Sequence, residues 1–319
     1  MSIISKDISK AVSLLNEEEI VAIPTETVYG LAGNIYSEKA IKAIFETKQR
    51  PFFNPLIVHI SSVNYLSTIA EDISEKANNL AEAFWPGPLT MVLKKKNTIP
   101  ELITAGKDTV AIRIPNHPVT LELLDQLDFP LAAPSANPFS SISPTTAQHV
   151  EDYFGGKIKM VLDGGACRSG IESTIVGFEN DEPIIYRLGS TSVEAIENVL
   201  GKIQIKNRKN NQPDAPGMLS KHYAPKCKLI LSEDISETLQ NYKKQKTGVL
   251  AFQNKIIDRH IFSQIILSEN GNLEEAATNL YDAMHQLDKQ DLDLIIAEKF
   301  PDYGLGKSIN DRLERATKN

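Results

Sequence analysis

The stretch IPTETVYGLAGN, residues 23–34, completes a short apolar run, Ile20-Val21-Ala22-Ile23, that reads as a buried strand. After the strand come a proline, two threonines around a carboxylate, a Tyr-Gly pair and a second glycine three residues on. So many hydroxyls at a strand end suggest that something is held there. A phosphate loop, a substrate pocket and a plain turn are all open readings. The glycines read as residues that turn the chain away from the sheet.

Outward from this stretch, residues 1 to about 203 mix helical and strand patterns irregularly. Apolar, β-rich runs fall at 19–23, 56–60, 89–93, 109–114, 159–162, 173–178 and 183–187. Helical periodicity falls at 37–47 behind a Ser37 cap, and at 73–84, 144–153 and 192–200. Ser143-Pro144 reads as an N-cap followed by proline at the first helical position. The first nineteen residues read as a capped amphipathic helix, with Ile8, Val12 and Leu15 on one face. Several strands arrive without a helix between them, which favours a mixed sheet. Residues 204–227 are polar and proline-bearing, the composition of a linker, although Met218, His222 and Tyr223 are odd residues for a spacer. From 228 to 319, strands KLIL, GVLAF and LDLIIAE alternate with helices near 233–245 and 273–288 and one from about 307. That alternation predicts a small parallel α/β unit.

A chain of 319 residues supports two domains with cores of their own. The formal net charge of −7 argues against a surface that collects nucleic acid. The run Lys94-Lys95-Lys96 reads as a solvated strand end. No apolar run approaches the ~20 residues of a membrane span. The N-terminus lacks the basic start and apolar block of a secretory signal. Cys167 and Cys227 cannot form a disulfide framework or a four-thiolate zinc site, and they suit a reduced cytoplasmic protein.

Several polar residues interrupt or follow the strands: Lys48, Arg50, Asn54 and His59 in KQRPFFNPLIVHI, Arg113 in TVAIRIP, the hydroxyl-rich 133–146, the glycines of LDGGACRSGIESTIVGF, and Arg187. Cations, hydroxyls and glycine-rich backbone together suit a polyanion. Arg113 in mid-strand needs an anion, from either an ion pair or a ligand. His59, between Val58 and Ile60, reads as a core histidine or a site residue. Cys167 has no neighbouring base that would make it a nucleophile. Gly306-Lys307-Ser308 is not the close of a P-loop, because Pro301 stands where that motif requires glycine.

PTETVYGLAGN, KQRPFFNPLIVHI, FWPGPLT, VAIRIPNHP, APSAN and GIESTIV occur here in the order found in the YrdC-like domain of the threonylcarbamoyl-AMP synthase family. With PGMLSKHYAP and a small C-terminal α/β unit, the whole chain resembles the long form of that family. The resemblance implies an α/β fold of α+β character. Its parts would be a YrdC-like twisted mixed sheet flanked by helices (1–203), a linker folding over the active site (204–227) and a Rossmann-like parallel α/β domain (228–319). It implies condensation of ATP, L-threonine and bicarbonate or carbon dioxide to threonylcarbamoyl-AMP and pyrophosphate. That product serves threonylcarbamoyladenosine formation in tRNA. Thr27, His59, Arg113, Ala133 and Ser173 would bind threonine. Lys48, Arg50, Asn54, Thr109, Ser135, Ser143, Arg187 and Tyr223 would bind ATP, with Lys48 and Arg50 as the catalytic pair. Mg²⁺ would enter on the ATP phosphates, with no organic cofactor and no metal site of the protein's own. The partners implied are the downstream tRNA threonylcarbamoyl transferase complex and a weak contact with tRNA, with no membrane. The alternatives are a double-stranded RNA-binding module and a carbamoyl-transfer maturation protein.

Overall fold

Short β-branched runs assemble into two sheets. In the computed structural model, which describes residues 2–206 and 222–318, the first sheet has eleven strands. They are β1 (Ile3–Ser5), β2 (Val21–Ile23), β3 (Gly30–Asn34), β4 (Ile57–His59), β5 (Leu89–Lys94), β6 (Thr109–Arg113), β7 (Leu131–Ala132), β8 (Met160–Leu162), β9 (Thr174–Glu179), β10 (Glu182–Arg187) and β11 (Gln204–Ile205). Their spatial order is β1-β8-β2-β3-β7-β4-β6-β5-β9-β10-β11. Parallel pairs such as β4 with β6 and antiparallel pairs such as β5 with β6 make the sheet mixed, as the sequence predicts.

One face of this sheet carries the main core: Val58, Met91, Ile112, Val176 and Ile185 pack beneath helices Glu38–Lys48 and Glu75–Phe84. Burying such side chains stabilises the fold by roughly 1.5–3 kcal/mol each. On the other face, helices Ile8–Asn16 and Pro118–Asp125 cover β8, β2, β3 and β7. The remaining strands leave their floor open for a site.

The second sheet is all parallel: β12 (Lys228–Ser232), β13 (Thr247–Ala251), β14 (Ile261–Ile266) and β15 (Leu294–Glu298), in the order β12-β15-β13-β14. Helices Leu273–Asp288 and Leu305–Ala316 lie between this sheet and the first unit. Leu280, Met284 and Ile309 share a core there with Val28, Ile142 and Ile171 of the first unit.

Several expectations are corrected. Gly30–Asn34 does not turn away from the sheet; it returns as β3, antiparallel to β2. Gly30 lets β3 pass close to the next segment, because a Cβ there would lie 3.1 Å from the Ala133 Cβ. Ser143 caps no helix. The helix is Ala147–Phe154, and its N-cap is Thr146, which accepts from the His149 N–H. Residues 3–5 form a strand because Asp7, which accepts from the Lys10 N–H, starts the first helix only at Ile8. The helix near 233–245 covers only Ile235–Leu239. Pro118–Asp125 and Ile261–Ile266 are elements that periodicity missed. Met218 and most of the expected linker, 207–221, lie outside the described residues.

Candidate active site

Pleat alternation decides which side chains reach the open face. His59 pairs with Arg113 and Ile57 with Ala111 between β4 and β6, so all four share one face. Val92 opposite Ala111, and Thr90 beside Ile175, continue that face. Strict alternation would send Arg187 into the core behind Ile185. A bulge between Ile185 and Arg187 prevents this by setting Arg187 opposite Ile175, on the site face.

Of these residues Ile57, His59, Arg113 and Arg187 line a cavity, together with Thr25, Thr27, Arg50, Ala133, Ser135, Glu172, Ser173, His222 and Tyr223. At one end, the Thr25 hydroxyl donates to the Val28 carbonyl at 2.7 Å and accepts from the Thr27 N–H at 3.1 Å. This turn presents Thr27 Oγ1 to Arg113 Nη1 at 2.9 Å. The Arg113 Nε–H donates to the Gly87 carbonyl at 3.2 Å, and Glu26 stands 2.7 Å from Nη2 as a buried counter-ion. Arg113 thus has both an ion-pair partner and a place in the cavity lining. His59 lies beside it with Nδ1 buried and unpartnered. Burial, reinforced by Arg113, pushes the His59 pKa down to about 3, so the ring is neutral at pH 7.

Cations gather at the other end. The helix Glu38–Lys48 stops where Gln49 takes left-handed φ of 54°, which turns Arg50 inward. Arg50 is held by the carbonyls of Asn54 (3.2 Å) and Pro55 (2.8 Å). Arg187 donates to the Ser173 carbonyl at 2.7 Å. Burial, then the neighbouring Arg187, lowers the Arg50 pKa to about 9. Burial also lowers Arg187 and takes His222 down to about 3. These groups are crowded and desolvated, so an incoming anion would relieve them. Glu172 partly answers them. Burial alone would raise its carboxyl, but Arg312, Arg187 and the 2.6 Å bond from Ser143 Oγ bring it down to about 2.

Lys48, Asn54, Ser143 and Thr109 sit outside this lining. Lys48 Nζ lies beneath the loop beside Ser135, bonded to the carbonyls of Ser135 and of Asn137 (2.6 Å). Asn54 is buried, with both side-chain polar atoms unpartnered. Thr109 stands at the far end of β6 in a separate depression with Lys107, Asp108, Phe178 and Tyr186. Cys167 is buried and its thiol is pushed up to about 12, chiefly by burial. Gly306, Lys307 and Ser308 belong to a helix rather than a phosphate loop.

Relatives assign this arrangement to a family. A family model described as "Telomere recombination" (Sua5_yciO_yrdC) matches residues 13–189, more than half of the chain. The chain belongs to the Sua5, YciO and YrdC family. A second model, "Threonylcarbamoyl-AMP synthase, C-terminal domain", matches residues 191–317. Family members called threonylcarbamoyl-AMP synthase in Pyrococcus abyssi and Bacillus subtilis are 40% and 41% identical to it. The matches cover 96% and 97% of this chain and 93% and 92% of theirs. The crystal structure of P. abyssi Sua5 complexed with L-threonine superposes with a TM-score of 0.92 at 38% identity, covering 99% of this chain and 98% of that one.

Two lining residues of this family member, Glu172 and His222, have no role assigned by the sequence reading. Glu172 sits inside the GIESTIV motif, where an acid between Ile171 and Ser173 signals a cationic partner elsewhere. His222 stands out only as an odd residue in polar surroundings.

Proposed function

We propose that this chain condenses ATP, L-threonine and bicarbonate or carbon dioxide into threonylcarbamoyl-AMP, releasing pyrophosphate. The product supplies threonylcarbamoyladenosine formation in tRNA. The observation that carries this reading is one cavity with two chemically distinct ends. A guanidinium flanked by a hydroxyl and a neutral imidazole suits an amino acid. A desolvated cluster of cations suits a nucleotide's phosphates.

The Arg113 fork takes the threonine carboxylate, while Thr27, His59, Ser173 and the backbone at Ala133 surround the rest of that substrate. Arg50, Arg187 and Ser135 take the phosphates, and Tyr223 closes the nucleotide side. Lys48 acts through the Ser135–Asn137 loop, with Asn54 and Ser143 behind Arg50 and Glu172. Thr109 marks an extension of the nucleotide site along the sheet face. The amine of threonine adds to carbon dioxide and loses a proton, giving a carbamate. A carbamate oxygen then attacks the α-phosphorus, and the bond from that phosphorus to the bridging oxygen breaks, so the electron pair leaves with pyrophosphate. Both reactants are anions, so positioning and charge neutralisation lower the barrier.

A Mg²⁺ ion fits as a passenger on the nucleotide. Among the described residues, no group of three or more His, Cys, Asp or Glu could hold a metal. Glu172, the one acid among the described lining residues, is committed to Arg312. When bound, the ion adds charge neutralisation at the phosphates.

The division at 203 and 228, a cytoplasmic location, hand-over to a tRNA threonylcarbamoyl transferase complex and a weak tRNA contact belong to the same proposal. The RNA-binding alternative is disfavoured because Lys94 and Lys95 are paired with Glu71, Asp72 and Glu101. The test is pyrophosphate release with each substrate omitted in turn. Release is expected only in the complete mixture, and threonine-independent release would contradict the proposal.

A further inference from the structure

Helix Leu305–Ala316 turns Leu305, Ser308, Ile309, Arg312, Leu313 and Ala316 to its buried side, the i, i+3, i+4 stripe of a packed helix. Five of these fit an interface of small or apolar groups. Arg312 is the exception, a guanidinium 1% exposed and set beneath the neighbouring unit. Its Nε–H donates to Glu172 Oε2 at 2.9 Å and its Nη2 to the Leu188 carbonyl at 2.7 Å. Nη1 is held by Asp311 at 2.9 Å, and the guanidinium lies 5.1 Å from the centre of the Tyr223 ring. One planar fork therefore touches the Glu172 segment, the end of β10 just past Arg187, and the aromatic wall.

These walls are in direct contact with one another. A Cβ on Gly189 would lie 2.4 Å from the backbone of Glu172, Ser173 and Thr174, so the two segments are in direct backbone contact. Ser308 Oγ bonds the Gly189 carbonyl at 2.8 Å, and Tyr281 Oη, from the other interface helix, bonds Glu172 at 3.0 Å. Arg312 itself is not in the cavity lining, whereas Arg113 and His59 at the other end are.

We infer that Arg312 is a positioning residue for the nucleotide half of the cavity, acting through Glu172, Arg187 and Tyr223. The C-terminal unit thereby completes the site of the N-terminal one. This rests on the reading that this half takes ATP. Lysine cannot replace the fork, because one ammonium cannot hold the carboxylate and the Leu188 carbonyl in the same plane.

The test uses the full chain, with ATP and L-threonine titrated separately by calorimetry. Arg312→Lys is expected to weaken ATP binding about tenfold, the loss of a hydrogen bond to a charged group, while threonine affinity stays within about twofold. Arg312→Met is expected to weaken ATP further. Tyr281→Phe, which removes a single hydroxyl, gives a smaller loss of the same kind and decides the matter should neither Arg312 variant fold. ATP affinity within twofold of wild type in the folded variants overturns the inference. So does a parallel loss for ATP and threonine, which marks a merely structural role. Failure of the functional reading is separate: the wild type would then release no pyrophosphate from the complete mixture, whatever the variants bind.

Discussion

Arg113 shows how one side chain serves both fold and site. Its guanidinium is fixed by Glu26, Thr27 and the Gly87 carbonyl, and it still faces the cavity. Arg113→Ala should raise the KM for threonine at least about tenfold, as expected for loss of a charged fork. It should also destabilise the fold by about 3–5 kcal/mol, because Glu26 is left buried and unpaired. Adding Glu26→Gln should restore urea stability but not threonine use, and an unchanged KM would contradict the assignment. The histidines give a second prediction. His59, His222 and His285 have folded pKa values of about 3, chiefly through burial, against 6.5 in the unfolded chain. Between these values the unfolded state binds more protons, so stability is full above pH 6.5 and falls as pH drops toward 3. Each histidine contributes up to about 1.4 kcal/mol per pH unit. Thermal melts from pH 7 to 4 should show the slope, and a flat profile would contradict it. Arg113 stood out in the sequence as a cation within an apolar strand. The partners of Glu172 could not be read there, since Arg312 and Tyr281 lie 140 and 109 residues away.

Elements were legible where local chemistry fixes them. Ser37 caps its helix as expected, accepting from the Ala40 N–H, and 273–288 forms a helix throughout. Two-residue β7 and the β10 bulge were not legible, because their pairing depends on partners distant in sequence. The Ser143-Pro144 signal misled for a similar reason. Its hydroxyl is drawn to Glu172, and the Pro144 carbonyl accepts from the Tyr29 N–H at 2.8 Å. The two candidate caps can be separated by mutation. Thr146→Ala should cost about 1 kcal/mol, the loss of a helix cap, with little effect on ATP. Ser143→Ala should instead raise the KM for ATP through Glu172. Equal effects of both substitutions on stability and KM would refute the distinction.

At the scale of the whole molecule, the mixed sheet and the parallel C-terminal sheet were both predictable from strand and helix alternation. Their junction was not. Glu172 meets Arg312 and Tyr281, Lys307 meets Glu194 at 2.8 Å, and His285 stacks on His149 with ring centres 3.9 Å apart. Removing residues 204–319 should therefore lower pyrophosphate release, both by exposing the shared core and by freeing Glu172. An unchanged rate in the truncated chain would contradict this. The central claim is that one cavity joins three substrates. It is tested most directly by supplying isotopically labelled bicarbonate with ATP and L-threonine and identifying the product by mass spectrometry. The predicted result is a single labelled species containing adenylate and threonine, formed in step with pyrophosphate. Pyrophosphate without that species, or label incorporated without threonine, would contradict the account.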